Sequence, residues 1–232
     1  MKLSAKIPVT TMKNVISILE KVSEEAIFTF NSQGLRVKTV CANRFKLVDL
    51  WVKDTAFKNY DCEEEIKLGI VVDRIKDITK TLTAKDELTI TYENDKFSLV
   101  ANGIRRVIKL LRLEYMNEVK DLPEFEYTFS LETSSKEVRD FLKTLGKTLA
   151  FDSIIRQEGT GMEIIWRSKN DEDPVEWNPD LKSKDDDDKL IRTSTFGSFS
   201  STCYTPEEVL AAVAGTQRSQ SLVVQGGQDI PL

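Results

Sequence analysis

The feature that most constrains this chain is that the order of elements in its first half recurs in its second. Period-two alternation of apolar and polar residues marks strands at 3–7, 26–30, 35–40, 46–52, 66–70, 87–92, 96–100 and 104–113. A 3.6-residue period marks helices at 10–22 and 72–82. The second half runs through the same order: strands at 126–131, 153–157, 162–166, 175–177, 190–195 and 221–225, with helices at 134–150 and 206–215. Two helices laid on antiparallel sheet, made twice, define a duplicated α+β architecture. Residues 114–125 between the halves are polar and acidic with a single Pro, which predicts an exposed connector. The expected division is therefore a domain over 1–113, a connecting loop over 114–125 and a second domain over 126–232.

Composition removes whole classes of chemistry. The 232 residues contain no histidine, which excludes an imidazole base, a Ser-His or Cys-His nucleophile and a His-ligated metal. Cys41, Cys62 and Cys203 are odd in number and widely spaced, which fits reduced thiols in an intracellular protein better than a disulfide framework or a zinc site. Residues 1–8 carry no apolar run of signal-peptide or membrane-span length. No catalytic residue, no metal, no cofactor and no membrane partner are expected, and no glycine-rich phosphate loop occurs.

The net charge of −5 hides an uneven distribution. Residues 171–188 hold nine carboxylates against Lys182 and Lys184, which leaves the rest of the chain slightly basic. In the helix expected over 134–150, Lys136, Arg139, Lys143 and Lys147 fall within roughly 80° of one another at 100° per residue, opposite Val138, Phe141, Leu142, Leu145 and Leu149. The first helix repeats the design more dilutely, with Lys13 and Lys21 off its apolar stripe. The second carries Arg74, Lys76 and Lys80, interrupted by Asp73 and Asp77. The fourth opens on Pro206 with Glu207 and Glu208 and offers no cation before Arg218. Three helices of four can face an anion.

Two strand edges carry opposite charge. The strand from 104 holds Arg105, Arg106, Lys109 and Arg112, whereas the acidic region around 175–177 holds Asp173 and Glu176. Contact between such unlike surfaces is head-to-tail, and closes into a ring or continues as a filament.

Four segments in this order resemble the sliding clamps of the proliferating cell nuclear antigen family across essentially the whole chain. They are VCANRFKLVDL at 40–50, IKLGIVVDRIKDITK at 66–80, DLPEFEY at 121–127 and QGGQDIPL at 225–232. The resemblance implies a homotrimeric ring of six similar domains whose helices surround duplex DNA, held by sequence-blind phosphate contacts. It implies partners that dock through short peptides (DNA polymerase, clamp loader, ligase and nuclease), with a pocket made by Val40, Arg44, Phe45, Leu47, Leu122 and Pro123 near Pro231. It implies a place in the cytoplasm of a prokaryote or the nucleus of a eukaryote.

Three departures stand against the family pattern. The family continues past the point reached at Leu232 by another strand and a tail; Pro174 and Pro179 flank the strand expected at the subunit interface and shorten its ladder; and DDDDK at 185–189 reads either as an acidic surface loop or as the core of an enteropeptidase-cleavage or epitope tag, which it resembles. The alternative reading is therefore a clamp-fold interaction subunit, of checkpoint or heterotrimer type or monomeric, that does not encircle DNA alone.

Overall fold

The computed structural model describes residues 1–42, 46–116, 119, 127, 129–146, 150–158, 161–170, 172–178, 195–196, 201–216 and 220–226. The chain divides into two compact units, residues 1–121 and 122–232.

In unit 1, alternation of buried and exposed residues builds two antiparallel sheets. Strands β1 (Leu3–Pro8), β5 (Asn59–Cys62), β7 (Glu87–Glu93), β8 (Lys96–Ala101) and β9 (Ile104–Ile108) form the order β5-β1-β7-β8-β9. Strands β2 (Glu25–Asn31), β3 (Gly34–Val40), β4 (Leu47–Lys53) and β6 (Ile66–Val71) form β4-β3-β2-β6. Helices α1 (Val9–Leu19) and α2 (Val72–Thr79) pack side by side and bury Met12, Val15, Ile16, Leu19, Ile75 and Ile78 against the core of Ile7, Phe28, Phe30, Ile70, Leu88 and Phe97. Each fully buried aliphatic or aromatic side chain contributes roughly 1.5–3 kcal/mol. Register is locked because a one-residue slip would turn every such residue to solvent. Tyr60, half-buried on edge strand β5, donates its hydroxyl to the carbonyls of Asn31 (2.7 Å) and Gly34 (2.8 Å), tying one sheet to the hairpin of the other.

Unit 2 repeats the plan with β10 (Phe129–Ser134), α3 (Ser135–Thr144), β11 (Phe151–Glu158), β12 (Gly161–Ser168), β13 (Glu176–Trp177), β14 (Thr195–Phe196), β15 (Ser201–Tyr204), α4 (Pro206–Ala212) and β16 (Ser221–Gly226). Its sheets are β13-β12-β11-β15 and β14-β10-β16. An aromatic cluster fills the core, with Phe141, Phe151 and Trp166 at centroid distances of 5.0–5.7 Å. No helix among the described residues is long and apolar enough to cross a membrane.

Several elements depart from the periodicity. The helix expected over 134–150 ends at Thr144, because Gly146 takes φ +62° and breaks the ladder. The strand expected over 104–113 stops at Ile108, and the chain then crosses to the other sheet through Leu111 N–H donating to Gly69 O at 2.8 Å. Strands β5 and β15 were not expected, since NYDC and STCY are too short and too polar to show alternation. The strand expected over 190–195 lies mostly outside the described residues, where only Thr195–Phe196 is seen as strand.

Candidate nucleic-acid and partner surfaces

The helix faces were expected to carry cations, and the two units treat those cations differently. In unit 1, Lys13 is half-buried and its ammonium donates to Leu82 O at 2.7 Å, closing the end of α2 from α1. Arg74 is likewise half-buried and donates to Lys109 O at 3.0 Å. Lys76 is exposed but lies 2.5 Å from Glu20, whose hydrogen bond raises its pKa. Lys80 pairs with Asp77 at 2.7 Å, and that contact holds the Asp77 carboxyl below its usual range, with Arg106 adding to it from 3.5 Å. Lys21 is exposed and has no carboxylate partner among the described residues.

In unit 2, α3 begins with a capping box. Ser134 Oγ accepts from Glu137 N–H at 3.2 Å while Glu137 Oε2 accepts from Ser134 N–H at 3.0 Å and from Thr133 Oγ1 at 2.7 Å. This fixes the rotation of the helix, burying Val138, Phe141, Leu142 and Leu145 and leaving Lys136 and Lys143 exposed, with no carboxylate partner among the described residues. Arg139 does not join them. Its guanidinium turns under the helix to Ser135 Oγ (3.1 Å) and to the carbonyls of Val213, Ala214 (3.1 Å) and Thr216 (2.9 Å), in the turn that follows α4. Exposed Asp140 stands between Lys136 and Lys143 on the same face, a residue that the count of cations passed over. Lys147 and Arg218 lie outside the described residues.

Of the residues expected to make a peptide pocket, Val40 lies on β3 and Leu47 on β4. Val40 is half-buried and lines a cavity of about 220 Å³ together with Ala26, Ile27, Lys38, Tyr115 and Met116. Alternation along β3 puts Lys38 and Val40 on one face, and the connector lays Tyr115 and Met116 over it. Gly69 permits that path: a Cβ there would stand 2.5 Å from Met116 Sδ and 2.8 Å from Leu111 O. Tyr115 and Met116 were missed because only the route of the chain after β9 brings them to β3. Leu47 is half-buried at the start of β4, outside the cavity lining. Arg44, Phe45, Leu122, Pro123 and Pro231 lie outside the described residues.

Among the described residues, both charged strands lie at the edge of a sheet. Strand β9 ends one sheet of unit 1, with Arg105 and Lys109 exposed; β13 ends one sheet of unit 2, with Asp173 and Glu176 exposed. Arg106 instead points back to Asp77, Arg112 pairs with Glu114 at 3.5 Å, and Glu176 with Arg167 at 3.4 Å. Ile104 and Val107 add exposed apolar surface to β9.

Comparison with known proteins follows this geometry. A family described as proliferating cell nuclear antigen, N-terminal domain, matches residues 3–118. A DNA polymerase sliding clamp of Cenarchaeum symbiosum is 24% identical over 212 residues, 90% of this chain and 82% of the relative. That of Thermococcus onnurineus is 22% identical over 221 residues, 94% of this chain and 86% of the relative. Among solved structures, that of A. fulgidus PCNA with the C-terminal region of FEN-1 bound superposes with a TM-score of 0.85 at 17% identity, covering 97% of this chain and 88% of that one.

Proposed function

Because this chain belongs to the proliferating cell nuclear antigen family, we propose that it acts as a DNA sliding clamp, a processivity factor that encircles duplex DNA and tethers polymerase and other replication proteins. The family match across unit 1 carries this reading. Exposed Lys136 and Lys143 support it, since a sliding protein needs cations that meet phosphates without reading bases. The opposite charges of β9 and β13 support head-to-tail closure, with Arg105 and Lys109 of one copy facing Asp173 and Glu176 of the next, and a homotrimer is the expected ring. The cavity at Val40 is the dock for short peptides of polymerase, ligase, nuclease and a separate ATP-driven clamp loader, and the protein itself catalyses nothing. The test is retention on DNA. Loaded on a nicked circular plasmid, the protein should stay bound until the circle is cut and then run off the ends; equal release from circular and linear DNA would overturn the reading.

A further inference from the structure

Trp51 on β4 is 53% exposed, whereas Trp166 is fully buried and Trp177 half-buried. A large aromatic side chain that lies bare among charged neighbours is of the kind that carries binding energy once a partner covers it. The strand register says where it stands. Arg36 lies opposite Trp51, Lys38 opposite Asp49 and Val40 opposite Leu47, and residues opposite one another share a face. Trp51 is therefore on the same face of the sheet as Lys38 and Val40, the face over which Tyr115 and Met116 close the cavity.

The surface between the cavity and Trp51 is charged, and its charges are matched. Arg36 grips Asp49 through two hydrogen bonds of 2.9 and 2.7 Å, and Lys38 reaches the same carboxylate at 3.6 Å. Side-chain exposure rises along this path from 18% at Lys38 to 34% at Asp49 and 48% at Arg36, so the way to Trp51 runs over the surface. Lys53, the next residue of β4 on that face, is exposed and holds its ammonium 6.0 Å from the centre of the Trp51 ring. It has no carboxylate partner among the described residues. Val40 and Arg36 are four residues apart on β3, and β4 lies about 4.8 Å to the side, which sets Trp51 about 15 Å from Val40. An extended chain covers that distance in about four or five residues.

We infer that the peptide dock continues from the cavity at Val40 to Trp51, and that the partners suited to this chain carry a second anchor. That anchor is an aromatic residue about four or five positions from the residue seated in the cavity, with a carboxylate beside it. The aromatic ring packs on the Trp51 indole, and the carboxylate meets the Lys53 ammonium. The residues between cross Arg36, Asp49 and Lys38, whose charges are satisfied within the sheet and select little. A peptide fits this patch better than a second copy of the chain does, because one aromatic ring and one cation suit two side chains, while a stable interface between folded proteins buries about 800 Å² on each partner. The inference rests on the docking reading of the cavity and adds the sequence that the dock prefers.

The test uses the C-terminal region of FEN-1 as the probe, in a series in which Phe-Asp steps along the peptide, each member set against Ser-Ser at the same place. In calorimetric titration of the full chain, one placement of Phe-Asp should bind about three- to tenfold tighter than its Ser-Ser counterpart. Trp51→Ser should remove that gain, and Lys53→Glu should remove the share that Asp contributes. Both residues are exposed, so the melting temperatures of the two variants should match the wild type. Without any variant, acrylamide quenching of tryptophan emission should fall when the favoured Phe-Asp peptide binds and stay level when its Ser-Ser counterpart does. Binding with no gain at any placement, a gain that survives in Trp51→Ser, or quenching that the Phe-Asp peptide leaves unchanged each overturns this inference and leaves the cavity as a dock. If no member of the series binds, the docking reading falls and this inference falls with it.

Discussion

Arg139 donates from α3 to the carbonyl oxygen of Thr216 at 2.9 Å, so a residue that the helical wheel sets in a DNA-facing row serves to join two helices of unit 2. The wheel places it at one end of the row, and a long guanidinium at that angle reaches the carbonyls of the turn that follows α4.

Arg139 and Lys143 should therefore separate stability from DNA retention. Arg139→Ala removes the guanidinium donor from the carbonyls of Ala214 and Thr216, while Val213 O keeps Thr216 N–H and Oγ1, and should lower stability by about 1–3 kcal/mol, read as the midpoint of urea unfolding. Lys136→Glu with Lys143→Glu should shift stability by under about 0.5 kcal/mol while weakening retention on circular DNA and flattening its salt dependence. A stable Arg139→Ala, or an unstable double lysine variant, would reverse the assignment.

Tyr60→Phe removes the hydroxyl that serves Asn31 O and Gly34 O, and should cost about 1–2 kcal/mol. Burial pushes the Tyr60 phenol well above its ordinary value near 10. The folded state thus holds its proton where the unfolded chain releases it. Stability from this source is complete below pH 10 and falls as pH rises beyond it. Urea midpoints measured between pH 8 and 11 should decline for the wild type more steeply than for Tyr60→Phe.

Gly69→Val drives a side chain into Met116 and Leu111. The expected cost is about 1–3 kcal/mol, together with reshaping of the cavity at Val40. Calorimetric titration with the C-terminal region of FEN-1, the segment bound to the related structure, should show weakened affinity, whereas Gly103→Ala, whose Cβ would meet nothing but whose φ of +77° is strained for Ala, should cost about 1 kcal/mol of stability with affinity intact.

Ser134→Ala breaks the reciprocal cap of α3 and should lower stability by about 1 kcal/mol. Ser134→Thr, which keeps a hydroxyl that both accepts from Glu137 N–H and donates to its carboxylate, should recover most of the loss in thermal melts.

Much of this arrangement was legible in the residues. The duplicated order, the buried stripes of α1, α2 and α3, and the exposure of Lys136 and Lys143 follow from periods of two and 3.6, because burial acts on each residue through its neighbours along the chain. The family motifs named the rest of the architecture. What periodicity could not supply was the partner of each charge: Lys13 on Leu82, Lys76 on Glu20, Arg74 on Lys109 and Arg139 on Thr216 are meetings of residues remote in sequence or a full turn apart in space.

The same division holds for the strands. Alternation located most strands and the side chains they bury, though not β5 and β15, whose NYDC and STCY carry no such pattern. Which of the described strands lie side by side, and hence that β7 is covered by β1 on one side and β8 on the other, was decided by tertiary pairing. A strand carries its side-chain pattern in its own residues, but its backbone hydrogen bonds are satisfied only by whatever the fold brings alongside.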